Sequence, residues 1–137
     1  MKGKILAIDF GLKRTGLAIT DDACIFAFGL KTVASSELMG ELKKLIPAER
    51  IHTLVLGLPR RLNLEDSHIT ENVRLLAEAL RKEFVAEVIL FDERFTSSMA
   101  SKAIQQAGLG KSKRENKALV DEVSATIILQ SYLSSIS

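Results

Sequence analysis

Apolar and polar positions follow two different periods along this chain, and the switches between them mark out its elements. Lys4-Ile5-Leu6-Ala7-Ile8-Asp9 is a short apolar run, the pattern of a strand buried on both faces. Thr15-Gly16-Leu17-Ala18-Ile19-Thr20 predicts a second strand after a tight glycine-bearing turn, and Ile25 to Val33 a third after the polar break Asp21-Asp22. Strands this close in sequence form an antiparallel meander. Helical spacing then takes over: Ser35 or Ser36 is placed to cap a helix running to about Ile46, where Pro47 helps to stop it. Leu54-Val55-Leu56 predicts a short buried strand ended by Gly57-Leu58-Pro59. Val73, Leu76, Ala77 and Leu80 share one stripe of a helix from about Ser67 to Phe84. Val88 to Phe91 is the fifth strand. Thr96 or Ser97 caps a helix ending near Gly108, and after a basic loop a last helix runs from about Asn116 to Leu133.

The order β-β-β-α-β-α-β-α-α predicts an α/β fold. Three antiparallel strands followed by two parallel crossovers give a mixed five-stranded sheet with helices on both faces. In such sheets, sites form beyond the carboxyl ends of the parallel strands. Those ends are Asp9, Gly57-Leu58-Pro59 and Asp92-Glu93-Arg94, all expected on one edge.

Composition narrows the class. A chain of 137 residues, 47% hydrophobic and 26% charged, reads as one globular domain spanning 1–137. No apolar run approaches the ~20 residues of a membrane helix. The N-terminus is too short and too acidic for a signal peptide. Cys24 is the only cysteine, so no internal disulfide can form, and a cytoplasmic, reducing location is expected. The net charge of +2 is modest, but Lys111 to Lys117 carries four positive charges against one negative, and Lys13-Arg14 and Arg60-Arg61 add basic pairs. A basic run is usually a solvated face; its interest depends on lying beside the acids.

Acids stand out at three places. Asp9 ends the first strand, where a carboxylate costs free energy unless something cationic receives it. Asp92-Glu93 ends the fifth strand. Asp121 lies on the last helix, on a face shared with Lys117, Ser124, Ala125, Ile128 and Tyr132, while Glu122 sits about 100° further round and reads as the solvated acid. Each has an ordinary structural alternative: a turn cap for Asp9, a strand-to-helix junction for Asp92-Glu93, a salt bridge for Asp121. Taken together, acids ending two strands and one facing inward from a helix form the constellation that a hard cation, Mg²⁺ or Mn²⁺, requires. Other chemistry is poorly supported. His52 and His68 lack metal-ligand spacing, and Cys24 reads as a small core residue. Gly11-Leu12-Lys13-Arg14-Thr15-Gly16 lacks the spacing of a Walker loop, though its backbone and Lys13 suit a phosphate.

Taken in order, Asp9-Phe10-Gly11 with Gly16-Leu17-Ala18, Gly57-Leu58-Pro59, Asp92-Glu93-Arg94-Phe95-Thr96-Ser97, and Lys117 to Asp121 followed by Ser124 to Gln130 resemble the YqgF/RuvX family over essentially the whole chain. The resemblance implies an RNase H-like fold, a bacterial source, and a nuclease acting in 5′-end maturation of pre-16S rRNA or as a Holliday junction resolvase. It assigns Asp9, Glu93 and Asp121 as the catalytic, metal-holding acids and puts Arg94 and Thr96 in an acid-arginine-threonine motif. Charge and placement add Gly11, Lys13, Arg14, Arg60 and Lys117 as substrate contacts. The chain departs from its relatives after Gly57-Leu58-Pro59, where Arg60-Arg61-Leu62-Asn63-Leu64-Glu65-Asp66 replaces an Asn-Met-Asp-Gly-like stretch. The acidic motif also follows the fifth strand, where many RNase H-like nucleases use the fourth.

The expected activity is metal-dependent hydrolysis of phosphodiesters in pre-rRNA, with branched DNA as the alternative substrate. Ribosomal particles are possible partners, and the chain acts as monomer or homodimer. Two other classes compete. A non-catalytic nucleic-acid or ribosome-assembly factor would keep the acids without cleaving. An ATP-binding protein of the actin-like or sugar-kinase kind would need a second domain.

Overall fold

In the computed structural model, residues 3–58, 64–92 and 117–136 are described, with the side chains of 64–68 and 117–121 left aside. The elements are β1 (Lys4–Asp9), β2 (Arg14–Thr20), β3 (Ala27–Ala34), a 3-10 turn over Ser35–Glu37, α1 (Leu38–Ala48), β4 (Ile51–Leu58), α2 (Leu64–Glu83), β5 (Glu87–Asp92) and α3 (Lys117–Ile136). The strands form one mixed sheet in the order β3-β2-β1-β4-β5, with β1, β4 and β5 parallel and β2 antiparallel to both β1 and β3. This is the expected sheet.

The pleat sorts side chains to two faces. Leu6, Ile8, Leu17, Ile19, Leu54, Leu56 and Leu58 join Leu38 and Leu42 of α1 and Val73, Ala77 and Leu80 of α2 in one core cluster. Ile5, Ala7, Ala18 and Val55 point the other way, onto Ala125, Ile128 and Leu129 of α3. With both faces covered, β1 and β4 read as continuous apolar runs.

Several boundaries differ from the sequence reading. The third strand begins at Ala27, two residues later than expected, because Asp21 Oδ1 accepts the backbone N–H groups of Ile25 (2.8 Å) and Phe26 (3.0 Å). Those amides are held in the turn. Neither Ser35 nor Ser36 caps α1; the 3-10 turn precedes it, and the Ser35 hydroxyl is engaged elsewhere. Pro47 lies inside α1, which ends beyond it where Arg50 adopts φ 54°, the left-handed terminator that glycine usually supplies. Cys24 packs against the rim of the α3-side core and is not fully buried within it. It is half-buried at φ 57°, with its thiol 3.2 Å from Gly3 O and 3.9 Å from His52 Nε2. The helix expected from Thr96 or Ser97 to Gly108 lies outside the described residues.

Candidate active site

Parallel pairing brings the carboxyl ends of β1, β4 and β5 to one edge of the sheet. Asp9 is the last residue of β1 and is half-buried. By alternation it shares a face with Ile5 and Ala7, the face covered by α3. Its neighbours across the sheet have no side chains. Asp9 is in register with Gly16 of β2, and Gly57 lies one step beyond the Ile8–Leu56 pair on β4. Both glycines are buried, and paired residues project to the same face. The carboxylate therefore stands in a gap flanked on both sides by bare backbone. A side chain at either glycine would fill the space beside it.

Helix α3 packs across β2, β3 and β1 over this gap. Ala125, Ile128 and Leu129 anchor it, and Tyr132 meets Phe91 of β5 edge-on at 6.1 Å. Asp121 belongs to α3, one turn before the fully buried Ala125, so the helix lays the two positions along one stripe. Glu122 is half-buried, not solvated as expected: its Cβ lies 3.5 Å from where a Cβ on Gly29 of β3 would sit.

At the end of β5 the alternation assigns Asp92 to a face. Val88 and Leu90 pack with the α1/α2 cluster and Phe91 with the α3 cluster, so Asp92 belongs to the α2 side of the sheet. Glu93 is the next residue and lies outside the described residues, as do Arg60, Arg94 and Thr96. Lys117 opens α3, its side chain among those left aside. Among the described residues no group of three or more His, Cys, Asp or Glu side chains gathers. What the structure brings together is Asp9, the glycine gap and the helix that carries Asp121.

The β1–β2 loop forms one wall of the site. A Cβ on Gly11 would stand 2.5 Å from the carbonyl oxygen of Arg14, closer than real Cβ atoms approach, so this turn requires glycine. Lys13 and Arg14 follow with exposed side chains. Ser35 fixes the turn: its hydroxyl donates to Gly11 O (2.6 Å) and its backbone N–H to Lys13 O (3.0 Å). Because that hydroxyl has one proton, the Thr15 hydroxyl must be the donor in the 2.8 Å bond between Thr15 and Ser35. Thr15 is fully buried. Sequence reasoning missed this brace, since a serine just before a helix reads as a cap. Gly16 and Gly57 are motif residues in the sequence, but only the strand register shows that they flank Asp9.

Carboxylate oxygens such as those of Asp9 suit a hard divalent cation and not a soft one. None of the described helices is long and apolar enough to cross a membrane.

Comparison with known proteins agrees with this architecture. The profile of the RuvX family, described as Holliday junction resolvase, matches residues 3–135. A Porphyromonas gingivalis protein carrying the name "Putative pre-16S rRNA nuclease" is 52% identical over 132 residues, covering 96% of each chain. A Bacteroides thetaiotaomicron protein of the same name is 44% identical over 133 residues, again covering 96% of each. The fowlpox virus resolvase solved with Holliday junction DNA superposes with a TM-score of 0.60 at 12% identity, covering 97% of this chain and 98% of that one. That likeness establishes the RNase H-like fold.

Proposed function

Since the chain belongs to the RuvX family, we propose that this nuclease cleaves phosphodiester bonds in the 5′ leader of pre-16S rRNA, using Asp9, Glu93 and Asp121 to hold a divalent metal ion. The observation that carries the reading is the place of Asp9. It closes a central parallel strand, between two glycines, on the face covered by α3, the helix to which Asp121 belongs. An isolated turn-capping aspartate has no need of such a gap. The rRNA substrate is drawn from relatives 44–52% identical to the chain that carry that name.

Glu93 is favoured over Asp92 because Asp92 falls on the α2 side of the sheet. β5 lies two strand spacings, about 10 Å, from β1. Glutamate reaches one methylene further than aspartate, which suits an acid arriving from that distance. Mg²⁺ or Mn²⁺ held there would supply Lewis-acid stabilisation of the charge that builds on the phosphoryl oxygens. Lys13 and Arg14, at the mouth of the gap, hold the backbone phosphates beside Asp9, with Arg60, Arg94, Thr96 and Lys117 as further contacts. Gly11 lets the loop approach closely, and Ser35 with Thr15 keeps it from moving when phosphate binds. Water is the nucleophile: it adds to phosphorus as the P–O bond to the leaving nucleotide breaks.

A second reading, cleavage of four-way DNA junctions, is favoured by the family description and by the likeness to the fowlpox enzyme. The test runs labelled pre-16S leader RNA and a four-way junction side by side, with Mg²⁺ or Mn²⁺, using wild type and Asp9→Asn. Cleavage of the RNA alone, lost in the variant, is the expected result. Paired symmetric cuts in the junction would promote the second reading. An Asp9→Asn protein that cleaves as well as wild type would overturn the site assignment, and no metal-dependent cleavage of either substrate would point to a non-catalytic assembly factor.

A further inference from the structure

We propose that the chain self-associates through the outer edge of β3, forming a two-fold dimer with Ala27 on the symmetry axis. β3 is an edge strand of the sheet, and among the described residues nothing pairs with its outer side. It carries an unusual surface for an edge. Ile25, Phe26 and Phe28 are 63%, 62% and 53% exposed, three of the large apolar side chains left open to solvent among the described residues. No charge occurs from Ala23 to Leu30. Natural edges of this kind are usually blunted by charge, or else paired.

The hydrogen-bonding pattern selects the register. Asp21 N–H donates to Phe26 O and the Phe26 N–H donates to the Asp21 carboxylate, so both backbone groups of Phe26 turn inward, toward β2. In an antiparallel ladder the next residue points its N–H and C=O the opposite way. Ala27 and Gly29 therefore present theirs to the free edge. The straight segment is bounded by the left-handed Cys24 on one side and, on the other, by the register shift that leaves Leu30 unpaired between Gly29 and Lys31. Its midpoint is Ala27.

A second copy laid antiparallel about that midpoint makes a self-complementary ladder. The Ala27 residues of the two chains exchange N–H···O bonds, and each Gly29 N–H meets the free carbonyl of Ile25 in the other copy. Phe26 then stands opposite Phe28 at the non-hydrogen-bonded positions, where cross-strand side chains are closest. This happens twice in the dimer. No like charges face one another within the ladder.

The area is sufficient. Large side chains present roughly 150–250 Å² when fully open, so at 53–63% exposure these three residues offer about 350 Å² per chain. Twice that, with the strand backbone added, reaches the ~1,000 Å² expected of a specific interface. The Asp21 carboxylate pre-arranges the surface by holding the Ile25 and Phe26 amides.

The dimer leaves the two nuclease sites independent. β1 and β3 run in the same direction, so antiparallel joining puts the two Asp9 edges at opposite ends of the extended sheet. Analytical ultracentrifugation from micromolar to sub-millimolar protein is the test. Wild type is expected to sediment at twice the 15.0 kDa of one chain. Phe28→Lys should return to the monomer mass with an unchanged circular dichroism spectrum. Ala27→Pro, which removes only an outward N–H at an edge position where proline is tolerated, should do the same. Cleavage per chain should be equal in all three, which keeps this outcome separate from the fate of the proposed nuclease site. A monomeric wild type throughout, or dimers that survive in both variants, would overturn the proposal. Dissociation by Phe28→Lys but not by Ala27→Pro would overturn the strand-edge register.

Discussion

Ser35→Ala removes a hydroxyl on which two groups of the β1–β2 loop depend. In the native protein it accepts from Thr15, which is 0% exposed, and donates to Gly11 O. Without it, the buried Thr15 hydroxyl has lost its acceptor, a desolvation cost of about 1–3 kcal/mol. Gly11 is half-exposed, so water can satisfy its carbonyl and that loss is small. The net expectation is about 2 kcal/mol of destabilisation, or a melting temperature lower by roughly 6 °C for a domain of this size. Urea unfolding gives the value directly from the shift in midpoint, provided the slope is unchanged. The reasoning makes a sharper demand in a double-mutant cycle. In a Thr15→Val background the buried hydroxyl is gone, so Ser35→Ala should cost only about 0.5–1 kcal/mol. A cost below about 0.5 kcal/mol for Ser35→Ala alone, or the same cost in both backgrounds, would refute the brace.

Other outcomes follow from the same structure. Tyr132 is the only tyrosine and the chain has no tryptophan, so tyrosinate absorbance reports this one group. Burial, aided by the negative charge of Glu87, raises its pKa above the usual 10.0. A raised value means that its contribution to stability is complete below pH 10 and is lost as pH climbs through the folded pKa; a folded midpoint at or below that in urea would contradict the packing on Phe91. If Lys13 holds a phosphate, Lys13→Ala should weaken nucleic-acid binding and lower the slope of log affinity against log salt by about 0.7–0.9. Filter binding at several salt concentrations measures it, and an unchanged slope would remove Lys13 from the interface.

The sheet was largely legible from sequence because both of its faces are covered, which turns β1 and β4 into apolar runs that need no partner to be recognised. The first strand was predicted to the residue. β4 proved longer than Leu54–Leu56, extending over Ile51–Leu58: His52 and Thr53 break the apolar run, and the pairing with β1 shifts register past His52 without ending the strand. β3 proved shorter at its start, because a side chain, Asp21, competes for the amides that a strand would use. Local competition of that kind leaves no periodic signal.

For the site, sequence alone determined which residues have the right chemistry: Asp9 at a strand end, acids after the fifth strand, Asp121 on the last helix. Residue type and distance to the end of an apolar run are local properties, readable in one dimension. Tertiary structure decided the rest. Strand register set Gly16 and Gly57 on either side of Asp9 and assigned Asp92 to the α2 side. Ser35, 24 positions from Gly11, became the brace of the β1–β2 loop. These facts depend on which strands lie side by side and in what phase. A one-residue slip would reverse every side chain to the other face, and no local pattern records that phase.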